Sequence, residues 1–430
     1  MTAWAAVAAA LLLGWGIWRR SSPLDPGTGA VTGAVLFGAL GTGAWLAVLD
    51  LLGAPWSMPL LLMPAAVSAV AGATARQPLR RVAADERPWL AGALLAVLPR
   101  AVVTALNPAF GWDFRYFLGL KARVFAVASG HDGAWLAWPG HAFANPDYPP
   151  LWSDLLAAGV RLDAPVDAVA AAWQSVLVVA LAAACWEAAE GAPPRVRALA
   201  AAAGGWCPVL FWPRYSGYSE PLLAFFAAVA FGRLCQHRGD SLDGAWTLAA
   251  ATAALALTKN EGVALAAGVV LGVAWSRGLR RVLLPALALA IALGAWKGFL
   301  LAARIETGWA FAGLGRLADH LVELPRAVGG AFKPKYAVVV MMWILALPGL
   351  RGRRCRGAQL ALGVWAVAVF VAYAATPFDL TWHLFTSLDR VLAAPLPAAI
   401  ALALGSSLSR PPRVVERSSP APSRGGSPSA

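Results

Sequence analysis

In a chain poor in charge, the residues able to do chemistry collect in five polar stretches between apolar runs. The first, GWDFRYFLGLKARVF, sets Asp113 just after an apolar run, beside aromatic and basic side chains. A carboxylate so placed can take a proton from a hydroxyl, and it can equally cap the helix that follows. The second, NPDYPPLW, offers Asp147 and Tyr148 ahead of Pro149-Pro150, a pair that enforces an extended turn. The third, FWPRYSGYSEPLLAFF, puts Arg214 and Glu220 at facing ends of two apolar runs joined by a turn containing Gly217. Substrate contact and a turn-pinning ion pair compete there. The fourth, LTKNEG, brings Lys259 and Glu261 into a turn of a few residues. The fifth, ATPFDLTWHLFTSLDR, predicts a helix from near Leu380, with His383 and Ser387 on one face and Thr386 and Arg390 on the next. Arg390 stands at the entrance to an apolar run and requires an anion: a phosphate, or Asp389 or Asp379 as a structural partner.

Lysine is rare, at 121, 259, 297, 333 and 335 only, in a chain that otherwise uses arginine; a compact ammonium point charge is the distinct property it brings. His131, His141 and Asp147 offer ligands to a divalent ion, but solvated loop histidines are the expectation. No metal cluster and no glycine-rich phosphate loop is recognisable. No cofactor is expected, with a divalent ion left open.

The elements that must hold these residues are membrane helices. The chain of 430 residues is 59% hydrophobic and 13% charged, with a mean hydropathy of +0.63. Soluble domains run at roughly 45–50% apolar and about 25% charged. A soluble enzyme, a single-span receptor and a largely disordered chain are excluded. Long apolar runs in place of alternating segments also exclude a β-barrel. The fold expected is an all-α polytopic membrane protein of about 11–13 transmembrane helices. The candidate runs lie near 1–18, 29–52, 58–75, 88–106, 165–189, 198–213, 218–235, 243–258, 262–276, 282–303, 336–350, 358–375 and 390–408. The four cysteines, Cys185, Cys207, Cys235 and Cys355, form no disulfide framework and are expected to be free thiols.

Arginine placement orients these runs. The first run has no basic residue before it and Arg19-Arg20 after it, which is the reverse of a signal peptide and puts the N-terminus outside. Alternating from there, the inner loops collect Arg76, Arg80, Arg81 and Arg87, then Arg195 and Arg197, Arg233 and Arg238, the 277–281 group, the 351–356 group and the arginines of the tail. The whole net charge of +13 falls on the inner side, so no nucleic-acid partner is needed to explain it. The outer loops cover about 107–164, 304–335 and 376–389. The first of them reads as two interfacial helices: one after Asp113, with Arg115, Lys121 and Arg123 towards water or headgroups, and one around Trp152–Val160. Residues 409–430 compose a disordered cytoplasmic tail. The expected location is a cell (cytoplasmic) membrane, with the working face and N-terminus outside and the C-terminus in the cytoplasm.

GWDFRYF, NPDYPPLW, a GYSEPLL span start, TKNEG and WHLFTSLDR together resemble the GT-C superfamily of integral-membrane glycosyltransferases, which includes protein O-mannosyltransferase and aminoarabinose transferase relatives. The resemblance covers roughly 88–408 as a catalytic transmembrane core, with residues 1–87 as added N-terminal helices. It implies transfer of a sugar, with inversion, from a polyprenyl-phosphate donor to a lipid, glycan or protein acceptor on the outer face. Asp113 matches the family's catalytic base. Arg390, His383 and Lys259 are the matching candidates to hold the donor phosphate, and Asp147, Tyr148, Arg214, Glu220 and Glu261 are candidate substrate contacts. Departures are a single acid in the first loop, where relatives carry a pair, and the lack of a large soluble domain after the spans. Asp147 stands in as a second acid. A transporter or flippase of a polyprenyl-linked or amphipathic substrate is the alternative, but it usually carries midplane charges on broken helices, often with inverted repeats. A non-catalytic scaffold is the third reading, and it leaves the outer acids, His and Lys without a role.

Overall fold

The computed structural model describes residues 2–21, 29–75, 82–207, 209–236, 244–305, 314–331 and 334–407. The predicted tail, the loop arginines at 76, 80, 81 and 238, and Lys333 lie outside these residues. Among the described residues there is no strand. The helices are α1 (Thr2–Ser21), α2 (Ala30–Leu51), α3 (Met58–Ala73), α4 (Arg87–Leu106), α5 (Gly119–Ala128), α6 (Gly133–Ala137), α7 (Leu151–Arg161), α8 (Val166–Ala188) and α9 (Pro194–Gly205). They continue as α10 (Glu220–Cys235), α11 (Ala245–Thr258), α12 (Asn260–Arg277), α13 (Leu279–Ala302), α14 (Leu317–Ala331), α15 (Pro334–Leu350), α16 (Arg356–Ala374), α17 (Leu380–Ala393) and α18 (Leu396–Ser407).

Among the described residues, seven stretches are long and apolar enough to cross a membrane: α1, α2, α4, α8, α13, α16 and the run Leu380–Ser406, which breaks at Ala394-Pro395 between α17 and α18. This is the architecture of an all-α, multi-pass membrane protein. Other apolar runs form shorter helices, such as α3, α11 and Tyr336–Leu350 within α15. The run around 198–213 is helical only as far as Gly205. The centre is built from α8 and α10, and every residue of α10 is buried. By contrast α13 exposes Leu279, Leu283, Leu287 and Ile291, a row four residues apart that suits lipid. Helix α1 packs closely on both α2 and α3: a Cβ on Gly14 would fall 1.9 Å from the Ala34 carbonyl oxygen of α2. Small residues at such crossings let membrane helices approach.

The bundle has two chemically different ends. At one, the Gly29 amide before α2 donates to Glu187 at the end of α8 (3.1 Å), and Arg233 at the end of α10 pairs with the same carboxylate (3.6 Å). Arg277 reaches the Gln236 carbonyl there (3.1 Å), and Arg197 pairs with Glu86. The other end of α2, about 33 Å away by helical rise, carries Asp50, and the starts of α10 and α12 carry Glu220 and Glu261. Described arginines expected on the inner side therefore share one end, and the candidate site residues share the other.

The first outer loop departs from expectation. The segment after Asp113 begins as a π-helical turn, Phe114–Leu118, and continues into α5, but Lys121 points inward and is only 2% exposed. Arg115 and Arg123 are exposed as predicted. Helix α7 occupies the second predicted interfacial segment, yet it is buried along almost its whole length, packed on α5, α2 and α8. Helix α1 also packs on α7. Pro150 takes a helical conformation (φ −87°, ψ −15°) as the N-cap of α7, so the Pro-Pro step is not extended throughout.

Candidate functional site

Helix α17 starts where the sequence places it, with the Asp379 side chain accepting the Trp382 amide at 2.7 Å. Near its end Arg390, 8% exposed, turns into the protein. Its Nη1 donates to Asp113 Oδ2 at 2.6 Å and to Glu220 Oε1 at 3.2 Å, and its Nη2 donates to the Thr386 carbonyl at 3.3 Å. Lys259, between α11 and α12, donates to the same Glu220 oxygen at 3.0 Å and pairs with Glu261 Oε1 at 3.4 Å. Two cations and three carboxylates from four distant segments thus form one network. Burial opposes the charge on Lys259, but Glu220 and Glu261 hold its ammonium well above the ordinary lysine range.

Two tyrosines support the arginine. The guanidinium lies 4.7 Å from the Tyr218 ring centroid and 5.3 Å from that of Tyr215. Tyr215 donates its hydroxyl to Asp389 Oδ2 at 2.6 Å, so the residue beside Arg390 secures the ring beneath it. The Tyr218 hydroxyl accepts the Asp113 amide at 3.0 Å, and burial followed by the Asp113 charge pushes that phenol up to about 12. The turn joining the tyrosines depends on Gly217, whose φ of +84° and position leave no room for a side chain: a Cβ would lie 2.4 Å from the Phe114 ring. Trp152 of α7 donates to the Gly217 carbonyl at 2.8 Å, and Gln174 of α8 donates to the Tyr218 carbonyl at 3.2 Å.

The remaining candidates divide. His383 lies outside the ion-pair network: its Nδ1 contacts Thr376 Oγ1 at 2.8 Å and its ring packs 4.8 Å from Tyr373, within electrostatic reach of Glu261, Lys259 and Arg390. Tyr148 reaches the charges of Glu261, Lys259, Asp113 and Asp147, and burial followed by Glu261 raises its phenol above the ordinary range. Asp147 is buried, its carbonyl accepting Trp296 Nε1 at 3.1 Å. Arg214 does not pair with Glu220, whose partners are Lys259 and Arg390; it is exposed, 4.7 Å from the Tyr215 ring. Nor does Arg390 take Asp389 or Asp379, since its carboxylates come from Asp113 and Glu220. Lys297 is exposed on α13.

His131 is not a solvated loop histidine. Its imidazole is buried between Asp154 of α7, 2.8 Å from Nε2, and Asp50 of α2 at Nδ1, inside a cage of Trp56, Phe125, Trp296 and Phe299. Burial opposes protonation, but the Asp154 and Asp50 carboxylates outweigh it and raise the imidazole to about 10. His141 is held by the Trp135 carbonyl (2.8 Å) and stacked on the Trp135 ring, so it too is packed and not free in solvent. Among the described residues no group of three or more His, Cys, Asp or Glu is spaced to hold a metal. The four cysteines are free and buried.

Tyr215, Tyr218 and Gln174 are the site residues that sequence reasoning missed. The signal was present in RYSGYSE, where a glycine between two tyrosines marks a sharp turn, but aromatic pairs of this kind are common in membrane edges. Compared with known proteins, the chain matches no family model, no curated protein and no solved structure.

Proposed function

We propose that the chain is an integral-membrane glycosyltransferase that moves a sugar from a polyprenyl-phosphate donor to an acceptor, with the Arg390 end of the bundle facing outwards. The observation that carries this reading is the joint hold of Arg390 on Asp113 and Glu220, with Lys259 on the far side of Glu220. The candidate base, Asp113, lies against the buried Arg390, and the buried Lys259 is one carboxylate away, so two cations able to receive a phosphate share its network.

The resting network has one more acid than cations, so an arriving phosphate must compete for Arg390. Exchange of Asp113 for a donor phosphate oxygen on the guanidinium frees the carboxylate at the moment it is needed. Asp113 then accepts the proton of the acceptor hydroxyl. The acceptor oxygen forms its bond to the anomeric carbon as the bond from that carbon to the phosphate oxygen breaks, with inversion. The polyprenyl phosphate leaves with the electron pair and is held by Arg390 and Lys259. Such chemistry needs a base, positioning and charge stabilisation, and little else from the protein. Gathering of the charged groups at one end favours one-sided chemistry over alternating access, which places ionisable groups near the midplane.

The test is sugar transfer by the purified chain in vesicles loaded with polyprenyl-phosphoryl sugars. Asp113→Asn should lower turnover by about 10²–10⁴-fold, the usual contribution of a general base, while donor still binds. Full activity in Asp113→Asn removes the proposed base. The orientation is tested separately: an impermeant thiol reagent on intact cells should label Ala142→Cys and spare Arg351→Cys.

A further inference from the structure

At the arginine-rich end of the bundle a groove of about 390 Å³ opens between α12 and α16, lined by Trp275, Arg356, Gln359 and Leu360. Ordinary small-molecule sites run at about 300–1,000 Å³ and are mainly apolar with a few polar groups, and this lining has that character. A tight helix crossing beside the groove fixes its walls. A Cβ on Gly272 would fall 2.4 Å from the Gly357 carbonyl oxygen, and one on Gly268 would fall 2.6 Å from that of Ala361. The Gln359 amide donates to the Leu350 carbonyl, which ties the same wall to the end of α15. Trp275, in the last turn of α12, is 72% exposed. Tryptophan collects at this level of membrane proteins, where the ring meets both headgroups and chains.

Two features indicate what fills the groove. The first is charge: Arg197 and Arg233 at this end pair with Glu86 and Glu187, whereas among the described residues no carboxylate pairs with the exposed Arg356. Phosphate oxygens match the planar fork of a guanidinium. The second is an apolar track leading from Arg356 towards the middle of the bundle. Leu360, Gly363 and Val367 follow Arg356 on one face of α16, and nothing lies within 4 Å of a Cβ placed on Gly363. On α12, Leu271 and Trp275 are one turn apart and both exposed. A free anion would use the arginine and leave the track empty, whereas a headgroup joined to acyl chains uses both. We infer that the groove between α12 and α16 binds one anionic phospholipid, its phosphate on Arg356 beside Trp275 and an acyl chain along the α16 track. Basic pockets between membrane helices take anionic headgroups in this way. The site lies at the opposite end of the bundle from Arg390 and Asp113, and it stands whether or not the chain transfers a sugar.

The test uses the full chain purified in detergent, with phosphatidylglycerol and phosphatidylcholine of matched acyl chains titrated and counted by native mass spectrometry. The wild type should bind one phosphatidylglycerol about fivefold more tightly than phosphatidylcholine, the contribution of a single cation at a membrane surface. Arg356→Gln should erase that preference. Arg195→Gln, which removes an exposed arginine of the same end outside the groove, should keep it. Equal affinities in the wild type, or a preference retained in Arg356→Gln, overturn the site. An equal loss in Arg195→Gln overturns it too, because the lipid would then be drawn to diffuse positive charge. Displacement of phosphatidylglycerol by an equal concentration of inorganic phosphate would make the ligand a free anion and overturn the lipid assignment. If Arg356→Gln fails to fold, Trp275→Glu, which sets a carboxylate at an exposed position of the groove, is judged by the same criterion.

Discussion

Arg390 and Asp113, 277 positions apart in the chain, meet in a 2.6 Å ion pair at the end of the bundle opposite the arginine-rich loops. The contact fastens α17 to the start of the first outer loop. It also means that the strongest candidate base is neutralised in the resting chain. Removing one partner should therefore have two separable effects, on folding and on binding.

Arg390→Ala leaves Asp113 and Glu220 without their shared cation. Loss of one partner of a buried pair costs about 3–5 kcal/mol, so the melting temperature in detergent should fall, and farnesyl phosphate binding should weaken at least tenfold. Arg390→Lys should recover part of the stability and less of the binding, because an ammonium cannot present a planar fork to two oxygens. Undiminished binding in Arg390→Ala would remove it from the phosphate site.

Lys259 and Glu220 should be energetically coupled. In a double-mutant cycle with Lys259→Met and Glu220→Gln, the interaction energy read from unfolding should fall at about 0.5–3 kcal/mol. Additive effects would show that the 3.0 Å contact contributes nothing in solution.

His131 makes a pH-dependent contribution to stability. Asp50 of α2, Asp154 of α7 and, through Asp154, Lys121 of α5 are the charged groups around it. Its folded pKa of about 10 lies above the ordinary 6.5. The stabilisation is thus fully present below pH 6.5 and is lost as pH rises through 10. Melting temperature against pH should show this decline in the wild type and lose that component in His131→Gln. A profile with the same slope in both proteins would refute it.

Gly217→Ala should destabilise the site locally. The backbone conformation and the 2.4 Å approach to Phe114 both oppose a Cβ, at a cost of order 1–3 kcal/mol. Because Tyr218 and Asp113 depend on this turn, donor affinity should fall more than the global melting temperature does. A normal affinity would show that the turn is dispensable.

Helical class, the apolar elements, the two-ended charge distribution and the polar stretches whose residues meet in the ion-pair network are legible in the residue order. Each rests on local physics: runs of Ala, Leu and Val, cations excluded from apolar runs, a capping aspartate at 379 ahead of α17. Partner identity is not local. Neighbours in sequence suggested Asp389 for Arg390 and Arg214 for Glu220, whereas the partners come from α17, α10, the first loop and the α11–α12 turn. His131 shows the same limit, since a loop histidine becomes a buried imidazolium only because α2 and α7 bring Asp50 and Asp154 to either side of it. Burial of α7 likewise depends on α1, α2 and α8 packing on it, and that of Lys121 on the Asn145 carbonyl and the Tyr148 ring closing over its ammonium. Sequence periodicity reports which faces are apolar. Which polar groups share a low-dielectric interior, and therefore must neutralise one another, is decided only when the helices pack.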